Sequence, residues 1–183
     1  QHIDQARRIF ASSVKADPAD IIITSCGTES NNTAIIPTAL ALEGKGKHLI
    51  TSAAEHHAVL HPMHYLEELG FEVTYLSVDD TGRVTLQSVM DAVREDTILV
   101  SLMYANNEVG SINPIAEIGS FLAEKNILFH TDAVQAFGSE TIDVRQQHID
   151  LLSVSAHKIN GPKGIGFLYR KNSLHLPNFI HGG

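Results

Sequence analysis

Seven short apolar runs recur along the chain: Ile21–Thr24, His48–Thr51, Val73–Leu76, Ile98–Leu102, Ile127–Phe129, Leu151–Val154 and Ile165–Tyr169. Several lack the polar alternation of a half-exposed strand, which is the pattern of strands buried on both faces. Between them, apolar positions recur at helical spacing over Asn31–Leu42, His56–Leu69, Leu86–Val93 and Ile115–Lys125, and another helical pattern opens at Ile3, Ala6, Ile9 and Phe10. Gly70 stands where a helix-ending glycine belongs, and Pro114 stands just before a helix start. Strand–helix alternation of this kind predicts an α/β fold: three α/β/α layers around a mainly parallel sheet. A chain of 183 residues suits one such core. In open sheets of this class, ligands sit beyond the carboxyl ends of the strands, so the polar residues after each apolar run carry the chemical information.

Composition narrows the setting. No apolar stretch approaches the roughly 20 residues of a membrane span, and no membrane partner is expected. Thirteen basic against 21 acidic residues give a net charge of −8, which argues against nucleic acid as a partner. The single cysteine, Cys26, leaves no internal disulfide, so a reducing, cytoplasmic setting is expected. The chain opens at Gln1 inside a helical pattern and closes in the glycine run His181-Gly182-Gly183, so it reads as a piece of a longer protein.

Five strand ends carry candidate chemistry. After the first run comes Cys26-Gly27-Thr28-Glu29-Ser30. A glycine permits close approach to the backbone, and the free N–H groups of a helix start attract a phosphate. Taken alone, a plain helix cap by Thr28 or Ser30 is the commoner explanation. After Ile127–His130 comes Thr131-Asp132-Ala133-Val134-Gln135. A carboxylate ending a buried strand is costly without a partner or a task. It either caps the following turn or pairs with a protonated ring nitrogen, as in a pyridine cofactor. After Leu151–Val154 comes Ser155-Ala156-His157-Lys158, where partial desolvation and the positive neighbours His157 and Lys163 would make the Lys158 amine nucleophilic. The bland alternative is a solvated lysine in a glycine-rich loop. Asn106-Asn107 and Glu55-His56-His57 also follow strands, offering amides for an oxygen atom or a carboxylate, and an imidazole to stack on a ring.

Together these segments, with Asn106-Asn107-Glu108-Val109-Gly110 and Ile159-Asn160-Gly161-Pro162-Lys163-Gly164, resemble the cysteine desulfurases of the NifS/IscS type, in the class V aminotransferase group of fold-type I pyridoxal-phosphate (PLP) enzymes. The resemblance covers essentially the whole chain, with the motifs in family order. It implies that residues 1–183 form the PLP-binding large domain, incomplete at its start and without a C-terminal small domain. It implies PLP as cofactor, with Lys158 as the Schiff-base lysine, Asp132 on the pyridine nitrogen and Gln135 on the phenolic oxygen. His56 would stack on the ring and serve as an acid or base. Thr28, Ser155 and His157, with the Gly27 backbone, would hold the phosphate, and Asn107 would face the substrate carboxylate and a cofactor oxygen. The implied reaction takes L-cysteine to alanine and an enzyme persulfide for iron–sulfur cluster or thiocofactor assembly. Its partners would be a second copy of the chain in a homodimer and sulfur-acceptor or scaffold proteins.

One element of the family pattern falls elsewhere. The family's sulfur-accepting cysteine lies on a later loop, whereas Cys26 sits in the phosphate motif. The chain alone is therefore expected to release no sulfide. Selenocysteine cleavage, transamination and a non-catalytic scaffold remain as alternatives within the same fold. A metal site is the other rival: His57, His61 and His64 are spaced as neighbours on one helix face, with Glu68 extending the row. Leu60, Met63 and Leu66 form an offset apolar stripe, so the histidines are expected on a solvated flank, with no metal.

Overall fold

The computed structural model describes residues 2–106, 108–159 and 161–177. All seven apolar runs form strands: β1 (Ile21–Thr24), β2 (His48–Ser52), β3 (Glu72–Leu76), β4 (Thr97–Met103), β5 (Leu128–Asp132), β6 (Leu151–Ser155) and β7 (Gly166–Arg170). They join in one sheet in the order β1-β7-β6-β5-β4-β2-β3. β7 runs antiparallel to both of its neighbours, and every other pairing is parallel. Six strands therefore end at the same edge of the sheet, and only β7 begins there. β2, β4 and β6 are buried along their whole length, as expected of strands covered on both faces.

Five helices make the outer layers: α1 (His2–Ser13), α2 (Gly27–Leu42), α3 (His57–Glu68), α4 (Leu86–Ala92) and α5 (Ile115–Glu124). α2 and α3 bury Ile35, Ala39, Val59, Met63 and Leu66 against Leu49 and Leu99 of the sheet. On the opposite face, Val89, Ile115, Ile118 and Leu122 pack on Ile50, Val100, Leu102 and Phe129. Gly70 has a φ of 91° just past α3, and Pro114 is the residue preceding α5. Both punctuate the chain as the sequence predicts. On α1 the stripe differs. Ile3 and Ile9 are more than half exposed, and the helix packs through Phe10, which stacks on Phe167 at 4.8 Å, and through Ala11.

Polar stitches cross the sheet between these layers. The His130 ring in β5 lies 2.7 Å from Ser101 Oγ of β4 through Nδ1 and 2.9 Å from Ser153 Oγ of β6 through Nε2. Burial alone pushes its pKa down to about 3, so this imidazole is neutral, with one nitrogen donating and the other accepting. His48 makes the same kind of bridge from β2 to Thr97 and Thr74. Paired on both ring nitrogens, these buried histidines fix lateral register rather than react.

Candidate active site

Beyond the common strand edge lies a cavity of about 190 Å³. Its wall brings together Gly27, Thr28, His56, Asp132 and Gln135 with Ser155, His157 and Lys158. These are all the site residues expected from sequence except Asn107, which lies outside the described residues.

α2 supplies the first wall. Its N-cap is Cys26, which makes no side-chain cap hydrogen bond. The bland expectation of a cap by Thr28 or Ser30 is not met, because Ser30 turns inward to Thr24 Oγ1 at 2.7 Å and Thr28 is exposed at the cavity. Glu29 instead accepts from the Ser25 backbone N–H and hydroxyl. The Cys26 thiol is held below the usual thiol range, first by the Glu29 backbone N–H, against an opposing burial effect. Gly27 is required by space: a Cβ there would stand 2.8 Å from Val134 Cγ2. The helix start is thus drawn against the loop that follows β5.

β5 ends in Asp132, only 8% exposed. Its Oδ1 accepts from the Val134 N–H at 3.0 Å, and its Oδ2 accepts from Asn31 Nδ2 at 2.8 Å. Both sequence readings of this aspartate are therefore compatible, since it caps its turn and also lines the cavity. Burial raises its pKa, opposed by those two hydrogen bonds and by His56. None of the ion pairs among the described residues includes Asp132. A cationic or protonated ligand atom in the cavity would supply the missing partner.

β6 ends in buried Ser155, whose Oγ lies 2.7 Å from His157 Nδ1. A 3-10 turn over Ala156–Ile159 then carries His157 and Lys158 to the cavity. Lys158 is exposed on this turn. Burial at a strand end applies to the preceding residues; the extra turn lifts the lysine out of the sheet. His56 is also exposed, and it caps α3 by accepting the Ala58 N–H on Nδ1 at 3.0 Å. Along α3, Met63 and Leu66 are fully buried while His57, His61, His64 and Glu68 are exposed, so the histidine row stands on the solvated side of the predicted stripe. The described residues hold no grouping of histidine, cysteine and carboxylate that suits a metal ion.

Two residues of the site escape sequence reasoning. Asn31 is 1% exposed, and its Oδ1 has no partner among the described residues. Glu55 is 6% exposed and bridges two strand ends. The available signal for Asn31 was its position four residues after Gly27, hence on the same helix face.

A mainly parallel sheet, helices on both faces and a cavity with convergent polar groups beyond the strand ends define a ligand-binding α/β domain. The model of the aminotransferase class-V family matches residues 1–183, and the chain belongs to that family. It is 55% identical over 181 residues to the putative cysteine desulfurase IscS 1 of Bacillus subtilis, covering 99% of this chain and 48% of that protein. Against the cysteine desulfurase IscS of Methanosarcina thermophila the identity is 52%, covering 99% and 45%. Among solved structures, SspA in complex with cysteine superposes with a TM-score of 0.95 at 44% identity, over 99% of this chain and 53% of that one. A NifS-like protein gives 0.95 at 41%, over 100% and 50%. The chain thus spans about half the length of the relatives it matches. These likenesses bear out the fold-type I architecture and the resemblance to cysteine desulfurases.

Proposed function

We propose that the chain is the PLP-binding part of a cysteine desulfurase that takes L-cysteine as substrate. The observation that carries this reading is one cavity gathering an amine, a buried carboxylate lacking a cation, an imidazole and an uncapped helix start. The donor set fits PLP. Asp132 offers negative charge to a ring nitrogen, Lys158 offers an amine to an aldehyde, and Gln135 offers an amide to a phenolic oxygen. Thr28 and the Ser155–His157 pair offer donors to a phosphate. The likeness to relatives named cysteine desulfurase favours this chemistry over transamination.

PLP, when bound, supplies an electron sink for a carbanion at the substrate α-carbon. The chain's own residues set the conditions. Asp132, held by Asn31 and the Val134 N–H, would pair with the pyridine nitrogen and favour its protonated form. Lys158 would hold the aldehyde through its amine, and the same amine could carry a proton to or from the substrate. His56 would stack on the ring and present Nε2 to it, because its Nδ1 is engaged by the Ala58 N–H. Cys26 lies in the α2 N-cap, so the thiol that takes up sulfur is assigned to another part of the protein. By the same resemblance the working form is a cytoplasmic homodimer that passes sulfur to acceptor or scaffold proteins for iron–sulfur cluster or thiocofactor assembly. No described helix is long and apolar enough to cross a membrane.

The test is an absorbance spectrum after adding PLP and dialysing. A retained Schiff-base band that disappears in Lys158→Ala is expected. A band unchanged in that variant would sink the assignment of Lys158. Alanine formation from cysteine by this chain alone would overturn the assignment of the sulfur-accepting thiol to another part of the protein.

A further inference from the structure

We propose that Glu55 is a positioning residue of this site: a buried, uncharged carboxyl that ties the turn carrying His56 to the end of β4. Glu55 lies between β2 and α3, and its Oε1 accepts both from Ser52 Oγ and from the Met103 N–H, each at 2.9 Å. Met103 is the last residue of β4 and lines the cavity. The next residue after Glu55 is His56, which begins α3 through its own cap. One carboxyl group therefore locks two walls of the pocket together, one through β4 and the other through the imidazole.

The second oxygen, Oε2, is buried without a partner among the described residues. An ionised carboxylate left so would be costly, whereas a neutral acid places its accepting carbonyl at Oε1 and its proton at Oε2. Burial raises the pKa to about 8, the nearby Asp132 adds to the rise, and the Met103 and Ser52 hydrogen bonds oppose it. The titratable group that acts on it is Asp132 at the end of β5, and the adjacent His56 caps α3. A neutral Glu55 leaves Asp132 as the one negative charge of that pair. Nothing in the desulfurase reading assigns Glu55 a part, and only the PLP arm of the test rests on that reading.

The experiment uses the 183-residue chain labelled with ¹³C at glutamate carboxyls and ¹⁵N in histidine rings, titrated without cofactor. One glutamate carboxyl is expected to titrate near 8 in the unsubstituted chain and to vanish in Glu55→Gln. The His56 signature of an accepting Nδ1 should persist in Glu55→Gln and change in Glu55→Ala. Glu55→Asp, too short to reach both donors, gives the same readout if the alanine variant fails to fold. With PLP added, Glu55→Gln should retain it as the unsubstituted chain does. Glu55→Asp should hold it about fivefold more weakly, the equivalent of one net hydrogen bond. Glutamates that all titrate in the ordinary range, or a His56 signature indifferent to Glu55→Asp and Glu55→Ala, would overturn the proposal. Failure of every form to retain PLP would overturn the cofactor reading instead, while the two NMR readouts still decide the role of Glu55.

Discussion

Asn31 and Asp132, 101 residues apart in the chain, meet at 2.8 Å beneath the cavity floor. The amide of α2 thereby fixes one oxygen of the carboxylate that ends β5, while the Val134 N–H fixes the other. Asn31→Ala removes a donor and leaves a buried carboxylate oxygen unpaired. A loss of about 1–3 kcal/mol in unfolding free energy is expected from such an orphaned group. Denaturant unfolding measures it, and a PLP titration of the same variant should show weaker retention. Unchanged stability would mean that water replaces the amide.

Gly27→Ala probes the contact between α2 and the loop after β5. The added methyl would stand 2.8 Å from Val134 Cγ2, so either the helix start or Val134 has to shift. Overpacking of this kind costs about 1–3 kcal/mol. Val134→Ala in the same chain should recover most of the loss, and a double-mutant cycle by thermal unfolding reads the coupling.

His130 gives a pH dependence of definite sign. Its folded pKa, about 3, lies below the ordinary histidine value of 6.5, so the unfolded chain binds its proton first on acidification. Its contribution is complete above 6.5 and is lost as the pH falls towards 3, at about 1.4 kcal/mol per pH unit. His130→Asn should be less stable at pH 7 and show a flatter acid limb. Parallel limbs in the two proteins would contradict the neutral-imidazole bridge.

Glu55 acts with the opposite sign. Its folded pKa of about 8 exceeds the ordinary glutamate value of 4.5, so the folded chain binds the proton more tightly. The stabilisation is complete below 4.5 and declines as the pH rises to 8. Glu55→Gln should remove that decline, which unfolding curves at pH 5, 6, 7 and 8 would show. Between 4.5 and 6.5 the two groups oppose one another, so each is best read from its own variant.

Most of the framework was legible because strand burial writes itself locally. Runs such as Ile98–Leu102 announce a strand covered on both faces, and Gly70 and Pro114 mark helix boundaries by backbone geometry. The cavity was legible for a similar reason: strand ends collect ligands, and His56, Asp132 and Lys158 follow strands. The antiparallel direction of β7 was not, since Ile165–Tyr169 reads the same either way. Asn31 and Glu55 were missed because Asp132 and Met103, to which they tie, lie at distant positions, and pairings of that range leave no periodic trace. The 3-10 turn that sets the exposed Lys158 side chain apart from the buried end of β6 leaves no trace in the sequence pattern.

The reversal at β7 bears on how Lys158 can move. Ser155 and Gly166 pair across β6 and β7, and the Ala156 N–H donates to the Ile165 carbonyl at 2.9 Å, so the segment bearing the lysine is clasped at both of its roots. Its backbone has no free end to swing on. Rotation about the bonds of its own four-carbon stem lets the amine travel between one reacting atom and the next, and lengthening the segment by a residue would alter that reach while the sheet beneath stays closed.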